Sequence, residues 1–342
     1  MRTADIDYQL PPGAIAQTPI EPRDAARLLV DGGPASAPEH RRVRDLPDLL
    51  RAGDLVVVND TRVLPARIKA RRATGGAVEV LLLEPLDADG DGRVWEALVR
   101  PSRKLAVGEV VTSDSSPFMI EIDAPIGDGT RQVRLLGDAD PLDAVAAAGQ
   151  VPLPPYITAP LADPERYQTV YSRRAGSAAA PTAGLHVTPK LLDELAARDV
   201  GFARLELVVG LDTFKPLTVD DPADHVMHAE VYRVEQDVLE QCRATRAAGG
   251  RVVAIGTTAT RALESAARFG PNGRTTLFIR RPYDWQVVDV LLTNFHLPRS
   301  TLLLMIDAFV GPRWRALYEC ALAEHYRFLS FGDAMLLERR VP

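Results

Sequence analysis

Cysteine is nearly absent from this chain: Cys242 and Cys320 are the two among 342 residues, too few for a disulfide scaffold or a thiolate zinc cluster. A reducing, cytoplasmic setting is expected. Long apolar runs are missing as well. The longest, Leu302 to Ile306 with Ala308 to Val310 beyond Asp307, is core-sized and short of the ~18 residues of a membrane span. The opening Met1-Arg-Thr-Ala-Asp-Ile-Asp carries no signal-peptide stretch, so no membrane partner is expected. An excess of positive charge is missing too. The 40 Lys and Arg against 46 Asp and Glu give a net charge of −6, which argues against a nonspecific nucleic-acid coat. There is no dinucleotide-binding glycine fingerprint, no Walker loop and no Gly-x-Ser-x-Gly elbow. These absences argue against nicotinamide, nucleoside-triphosphate and elbow-serine chemistry.

What remains is an ordinary globular composition, 46% hydrophobic and 25% charged, of a length that suits two domains. Leu55 to Val58, Val252 to Ile255 and Val287 to Leu292 are uninterrupted apolar runs, as expected of strands buried on both faces. Helices are predicted over Pro189–Arg198, Gln236–Ala248, Thr257–Gly270 and Pro312–Tyr326, with Thr257 or Thr258 as the cap of the third and Gly270 ending it. Alternation of this kind predicts an α/β domain. Between Leu64 and Gly137 the pattern changes to six short runs at roughly ten-residue spacing, separated by Gly- and Asp-rich turns. They are Arg67–Ala70, Ala77–Leu83, Arg93–Val99, Val110–Thr112, Phe118–Ile122 and Arg131–Leu135, followed by a helical stretch over Pro141–Ala148. The expected fold is an α/β main domain with a mixed sheet, residues 1–63 and 149–342, interrupted by a small antiparallel β-barrel domain over 64–148. The Ser177-Ala-Ala-Ala-Pro-Thr-Ala-Gly segment reads as a mobile loop.

Polar clusters follow the buried runs. Asn59, Asp60 and Arg62 come after the first, Gly256, Thr257 and Thr258 after the second, and Asn294, His296, Arg299 and Ser300 after the third. Ligands of open α/β sheets gather at such carboxyl ends, and free helix N–H groups there suit a carboxylate or phosphate. Ala180-Pro-Thr-Ala-Gly-Leu-His186 precedes a helix, and its small residues would admit a ligand beside His186. In His225-Val-Met-His228-Ala-Glu230, a strand would turn His228 and Glu230 to one face and His225 away from it. That spacing disfavours a two-histidine metal site, and no metal is expected. It leaves a choice between a carboxylate orienting a histidine and a polar pair at a strand start. The basic run Arg62, Arg67, Lys69, Arg71 and Arg72, followed by Arg100, Arg103 and Lys104, is either a solvated strand edge or a phosphate-binding face.

Ordered segments along almost the whole chain resemble one family, the S-adenosylmethionine:tRNA ribosyltransferase-isomerases of queuosine synthesis (QueA). They include Asp7-Tyr-Gln-Leu-Pro-Pro, Asn59-Asp-Thr-Arg-Val-Leu-Pro-Ala-Arg67, Trp95-Glu-Ala-Leu-Val-Arg-Pro101, Pro152-Leu-Pro-Pro-Tyr-Ile157 and Tyr167-Gln-Thr-Val-Tyr171. Ala180–His186, His225–Glu230, Gly256-Thr-Thr, Thr293-Asn-Phe-His-Leu-Pro298 and Tyr326–Asp333 complete the pattern. The resemblance implies an α/β domain interrupted by a barrel. It implies transfer and isomerisation of the ribosyl part of S-adenosylmethionine onto 7-aminomethyl-7-deazaguanine at the wobble position of tRNA with a GUN anticodon. Epoxyqueuosine forms, and adenine and methionine leave. S-adenosylmethionine is then a substrate, no separate cofactor is implied, and a monomer is expected. For this chemistry the base and acid candidates are His186, His228 and His296, with Glu230 and Asp60 as orienters or alternative bases. Asn59, Tyr167, Thr182, Asn294 and Ser300 join the expected substrate contacts, Gly256, Thr257, Thr258 and Arg261 suit the methionine carboxylate, and Arg62, Arg67 and Arg299 suit RNA phosphates. One segment departs from the pattern. The family's Leu-His-Val-Gly-x-Gly-Thr-Phe reads Leu207-Val-Val-Gly-Leu-Asp-Thr-Phe214, with Val208 for a histidine and Asp212 for a glycine. The alternatives are therefore a divergent paralogue acting on another or a free 7-deazapurine, and a non-catalytic RNA-binding member.

Overall fold

The computed structural model describes residues 2–33, 36–86, 90–127, 129–210 and 216–339. Two compact units emerge, one of residues 1–61, 155–174 and 180–342, the other of 62–154 and 175–179.

The larger unit is built on a mixed nine-stranded sheet. Its spatial order is Asn272–Thr275, Glu230–Arg233, Gly201–Leu207, Leu55–Asn59, Val252–Ile255, Val290–Asn294, Ala334–Glu338, Arg27–Val30 and Glu39–Arg42. Gly201–Leu207, Leu55–Asn59, Val252–Ile255 and Val290–Asn294 run parallel to their neighbours in that order. The Leu55–Asn59 strand is buried at every residue, which is why its sequence is continuous in β-branched and apolar residues rather than alternating. Val56, Val58, Val253, Ile255, Val290 and Leu292 form one core with Leu191 and Leu195 of the helix Pro189–Ala196. No helix of the described residues is long and apolar enough to cross a membrane.

Several expectations need adjustment. The third apolar run enters the sheet later than predicted, at Val290, and continues through Asn294. Val287 and Val288 instead donate their N–H groups to the fully buried carboxylate of Glu264, so they are held off the ladder. The helix Thr257–Phe269 is capped by Gly256, not by a threonine hydroxyl. Gly256 sits at φ +95°, which an L side chain rarely adopts. The helix predicted over Pro312–Tyr326 is shorter, Trp314–Ala323. The segment from Ser177 to Ala180 is buried rather than a mobile loop. Its small side chains serve close packing, and Thr182–His186 forms a 3-10 turn.

The smaller unit is a closed barrel, ordered Thr130–Leu136, Val94–Arg100, Ala77–Pro85, Arg67–Arg72, Glu109–Ser113 and Met119–Gly127. All its pairings are antiparallel. The helix Pro141–Ala148 falls where the sequence placed it, started by the Asp140 side chain. Arg67–Arg72 is paired on both sides, so this part of the basic run is no strand edge. Arg71 and Arg72 are ion-paired with Asp114 and Glu109.

Candidate active site

The carboxyl ends of Val252–Ile255 and Val290–Asn294 open into a cavity of about 590 Å³, part of it continuous with solvent. Thr182 and Ala183 form one wall, Gly256, Thr257 and Thr258 another, and Thr293, Asn294 and His296 the floor, with Tyr156, Val209, Ser300 and Ser330 completing it. No Asp, Glu, Lys or Arg occurs among the described lining residues.

Each floor residue is held by a specific device. Behind the strand end, Phe295 packs on Tyr318, Tyr326 and Phe328 at centroid distances of 5.4, 5.6 and 4.7 Å. The His296 N–H donates to Tyr318 Oη at 3.0 Å, and its carbonyl accepts from Tyr8 Oη at 2.5 Å. This clamp fixes the backbone of His296, and Thr293 Oγ1 lies 3.0 Å from its Nε2. Asn294 reads both walls. Its Oδ1 accepts from the Thr182 hydroxyl at 2.9 Å, while its Nδ2 donates to the Asp333 carbonyl at 3.3 Å and to His186 Nε2 at 3.2 Å. His186 Nε2 is then an acceptor, so its proton is on Nδ1.

Burial controls the charge of these rings. It lowers the pKa of His296 to about 3 and that of His186 to about 4, because an imidazolium loses hydration that the neutral ring does not need. At neutral pH both are uncharged and able to accept a proton. Two helices also start at the cavity, Thr257–Phe269 and Thr301–Val310. In the second, Ser300 Oγ is occupied as the cap, accepting from the Leu303 N–H at 3.2 Å. In the first, the cap is a glycine and offers no side chain to the free N–H groups. The Thr258 hydroxyl is buried without a partner among the described residues. The described lining of the cavity is thus formally neutral, with the positive ends of two helix dipoles directed at it.

The predicted His228–Glu230 pair takes another form. The strand begins only at Glu230, and His228 precedes it on the surface. The Glu230 carboxylate is ion-paired with Arg261 and accepts the Gly210 N–H at 3.1 Å. Arg261 also donates to the carbonyls of Leu277, Thr275 and His228. Its guanidinium ties together the strands Glu230–Arg233 and Asn272–Thr275 and is not turned toward a ligand carboxylate as expected. Glu230 is not among the described lining residues and accepts from Gly210, next to the lining residue Val209. Asn59 is a strand connector, bonded by its side chain to the backbone of Leu207. Tyr167 is fully buried against Phe331. Asp60 is buried outside the lining, and Arg299 is exposed at φ +53°. Arg62 and Arg67 belong to the barrel unit. Val208 is half-buried and bonds through its N–H to the Val231 carbonyl. Val209, not Val208, lines the cavity. Asp212 lies outside the described residues. The polar cavity residues that the sequence reading did not single out are Tyr156, Thr293 and Ser330, although all three stand in quoted segments. Tyr156 Oη meets Ser330 Oγ at 2.7 Å across the site.

A family model described as queuosine biosynthesis protein matches residues 3–337. The chain is 49% identical over 346 residues to the S-adenosylmethionine:tRNA ribosyltransferase-isomerase of Symbiobacterium thermophilum, covering 98% of this chain and 100% of that one. It is 50% identical to a protein of the same description from Thermus thermophilus, over 97% of this chain and 98% of the other. The crystal structure of the S-adenosylmethionine tRNA ribosyltransferase from Thermotoga maritima matches with a TM-score of 0.55 and 36% identity. It covers 97% of this chain and 99% of that one.

Proposed function

The chain belongs to the queuosine biosynthesis family, and from that membership we propose that its neutral cavity is where S-adenosylmethionine gives up its ribosyl group. The protein is an S-adenosylmethionine:tRNA ribosyltransferase-isomerase, acting on S-adenosylmethionine and tRNA. We assign the acceptor as 7-aminomethyl-7-deazaguanine at the wobble position of a GUN anticodon, and the product as epoxyqueuosine, with adenine and methionine released.

The observation that supports the cavity is its charge pattern. A sulfonium would be repelled by Lys or Arg, and no described lining residue is either. A methionine carboxylate suits the start of the helix Thr257–Phe269, where first-turn N–H groups and the Thr258 hydroxyl are available. The sulfonium acidifies the ribose methylene beside it. His296, uncharged through burial, is the base proposed to take that proton. Asn294 links the Thr182 wall to His186 and keeps its Nε2 as an acceptor.

The test is adenine release from S-adenosylmethionine with and without acceptor tRNA. Release that requires the tRNA is expected. Release without RNA would point to a free acceptor, and no release under either condition would leave a binding protein.

A further inference from the structure

Behind the Thr182–His186 turn lies a second polar group that the cavity does not use. It gathers at the carboxyl end of the central strand. Asp60 directly follows Leu55–Asn59, and Arg204 stands opposite Val58 on the neighbouring parallel strand. Thr169 and Tyr171 approach from the preceding segment and press on Gly184. A Cβ added there would come within 2.0 Å of Tyr171 Oη and 3.0 Å of Thr169 Cγ2. The Thr182–His186 turn is therefore a wall common to this group and to the cavity that Thr182 and Ala183 line. Phe202 lies edge-on to Tyr171 with centroids 6.0 Å apart, and the Arg204 guanidinium is 4.8 Å over its ring.

The bonding of this group is incomplete. Tyr171 Oη, Thr169 Oγ1, Thr61 Oγ1 and Arg204 Nε are all buried without a hydrogen-bond partner among the described residues. Each such atom is destabilising, and a native fold carries few of them. Four around one strand end mark a place built for polar contacts that the described residues do not make with one another. Asp60 is 7% exposed. Burial raises its pKa, and Glu206 adds to that while Arg174, Arg173 and Arg204 oppose it.

Resting on the reaction assigned above, we infer that this group is the acceptor subsite: Asp60 holds the amino nitrogen of the 7-deazaguanine, and Tyr171 and Arg204 donate to the oxygen-bearing edge of its ring. A guanine-type edge offers an acceptor oxygen beside N–H donors, which matches donors beside a carboxylate. An ammonium has no electron pair with which to attack carbon. The Asp60 carboxylate takes one N–H proton and becomes the carboxylic acid. The neutral amine keeps the pair that forms the new N–C bond to the ribosyl carbon, where the bond to the adenine nitrogen breaks; its electron pair leaves with adenine, which takes up the proton that the new ammonium sheds.

The test uses the full-length chain with S-adenosylmethionine and acceptor tRNA. Tyr171→Phe removes a hydroxyl with no partner among the described residues, so the unfolding midpoint should hold or rise while KM for tRNA rises about three- to tenfold. Asp60→Asn should lower kcat about 10²-fold or more. Both variants should keep the Kd for S-adenosylmethionine within about twofold. Unchanged tRNA kinetics in both would overturn the inference. So would a parallel loss of S-adenosylmethionine binding, which would move the group into the donor site, or an early-unfolding Tyr171→Phe chain, which would make the hydroxyl a part of the fold. The Kd for tRNA, measured without S-adenosylmethionine, is a separate arm: it should weaken in Tyr171→Phe even for a wild type that releases no adenine, the outcome that would sink the assigned reaction instead.

Discussion

His296 and His228 look alike in the sequence, each near a strand end with a polar neighbour two or three residues away, yet the fold gives them opposite surroundings. His296 is 8% exposed, clamped through its backbone by Tyr8 and Tyr318, and kept neutral by burial. His228 is exposed, and the carboxylate expected to orient it is ion-paired with Arg261 instead. Spacing within a segment therefore did not separate a buried cavity histidine from a surface one. What separates them is where the adjacent strand ends: one stops at a cavity floor, the other starts at a sheet margin.

The comparison can be broken most sharply by removing each ring. His296→Ala should lower tRNA-dependent adenine release by about 10²–10⁴-fold, the usual worth of a positioned base. His228→Ala should change it by no more than about twofold, as a surface substitution does. Equal losses in the two variants would erase the distinction.

Next in size is the pair that replaced the expected carboxylate–histidine contact. Glu230→Gln leaves the Arg261 guanidinium, 9% exposed, without its counter-charge, at a cost of about 3–5 kcal/mol. Denaturant unfolding should show that loss, with the Kd for S-adenosylmethionine little changed in the folded fraction. A stable variant with weakened ligand binding would return Glu230 to the site.

Burial of two neutral imidazoles also sets a pH dependence. Their folded pKa values, about 3 and about 4, lie below the ordinary 6.5. Between these limits the unfolded chain binds more protons, so stability rises with pH and falls on acidification below about 6.5. From pH 6.5 to 5 the loss should approach about 2 kcal/mol for each ring. His296→Phe should roughly halve that slope, and an unchanged slope would show that the ring titrates freely.

The smallest effect is expected at the departure from the family pattern. Val208 is not a lining residue, and its backbone continues the pairing toward Val231. Val208→His should move turnover by less than about threefold. A large gain would mean that this side chain reaches the reaction after all.

The contrast between the units also explains what the sequence made legible. The barrel strands can be placed to within a few residues because alternation is local: Arg67–Arg72 buries every second side chain between its Lys and Arg residues. The parallel strands are visible as apolar runs for the same reason, and the polar residues after Val252–Ile255 and Val290–Asn294 mark the cavity. Contacts across the fold leave no such mark. Arg261 looks like a free cation at a helix start, and only the pairing of the strands Glu230–Arg233 and Asn272–Thr275 shows where its charge goes. Tyr156 and Ser330 meet across 174 positions, beyond any periodicity. The Ser177–Ala180 run reads as a mobile loop, yet is buried, because small residues suit a loose loop and a tightly packed one equally well.

The most direct measurement of the cavity's role is a crystal structure determined with S-adenosylmethionine bound. The account predicts the methionine carboxylate at the Thr257–Thr258 helix start and the ribose methylene within hydrogen-bond reach of the His296 ring, with no ligand atom near His228. Density for the ligand beside His228 and Arg261, with the Asn294–His296 floor untouched, would contradict it.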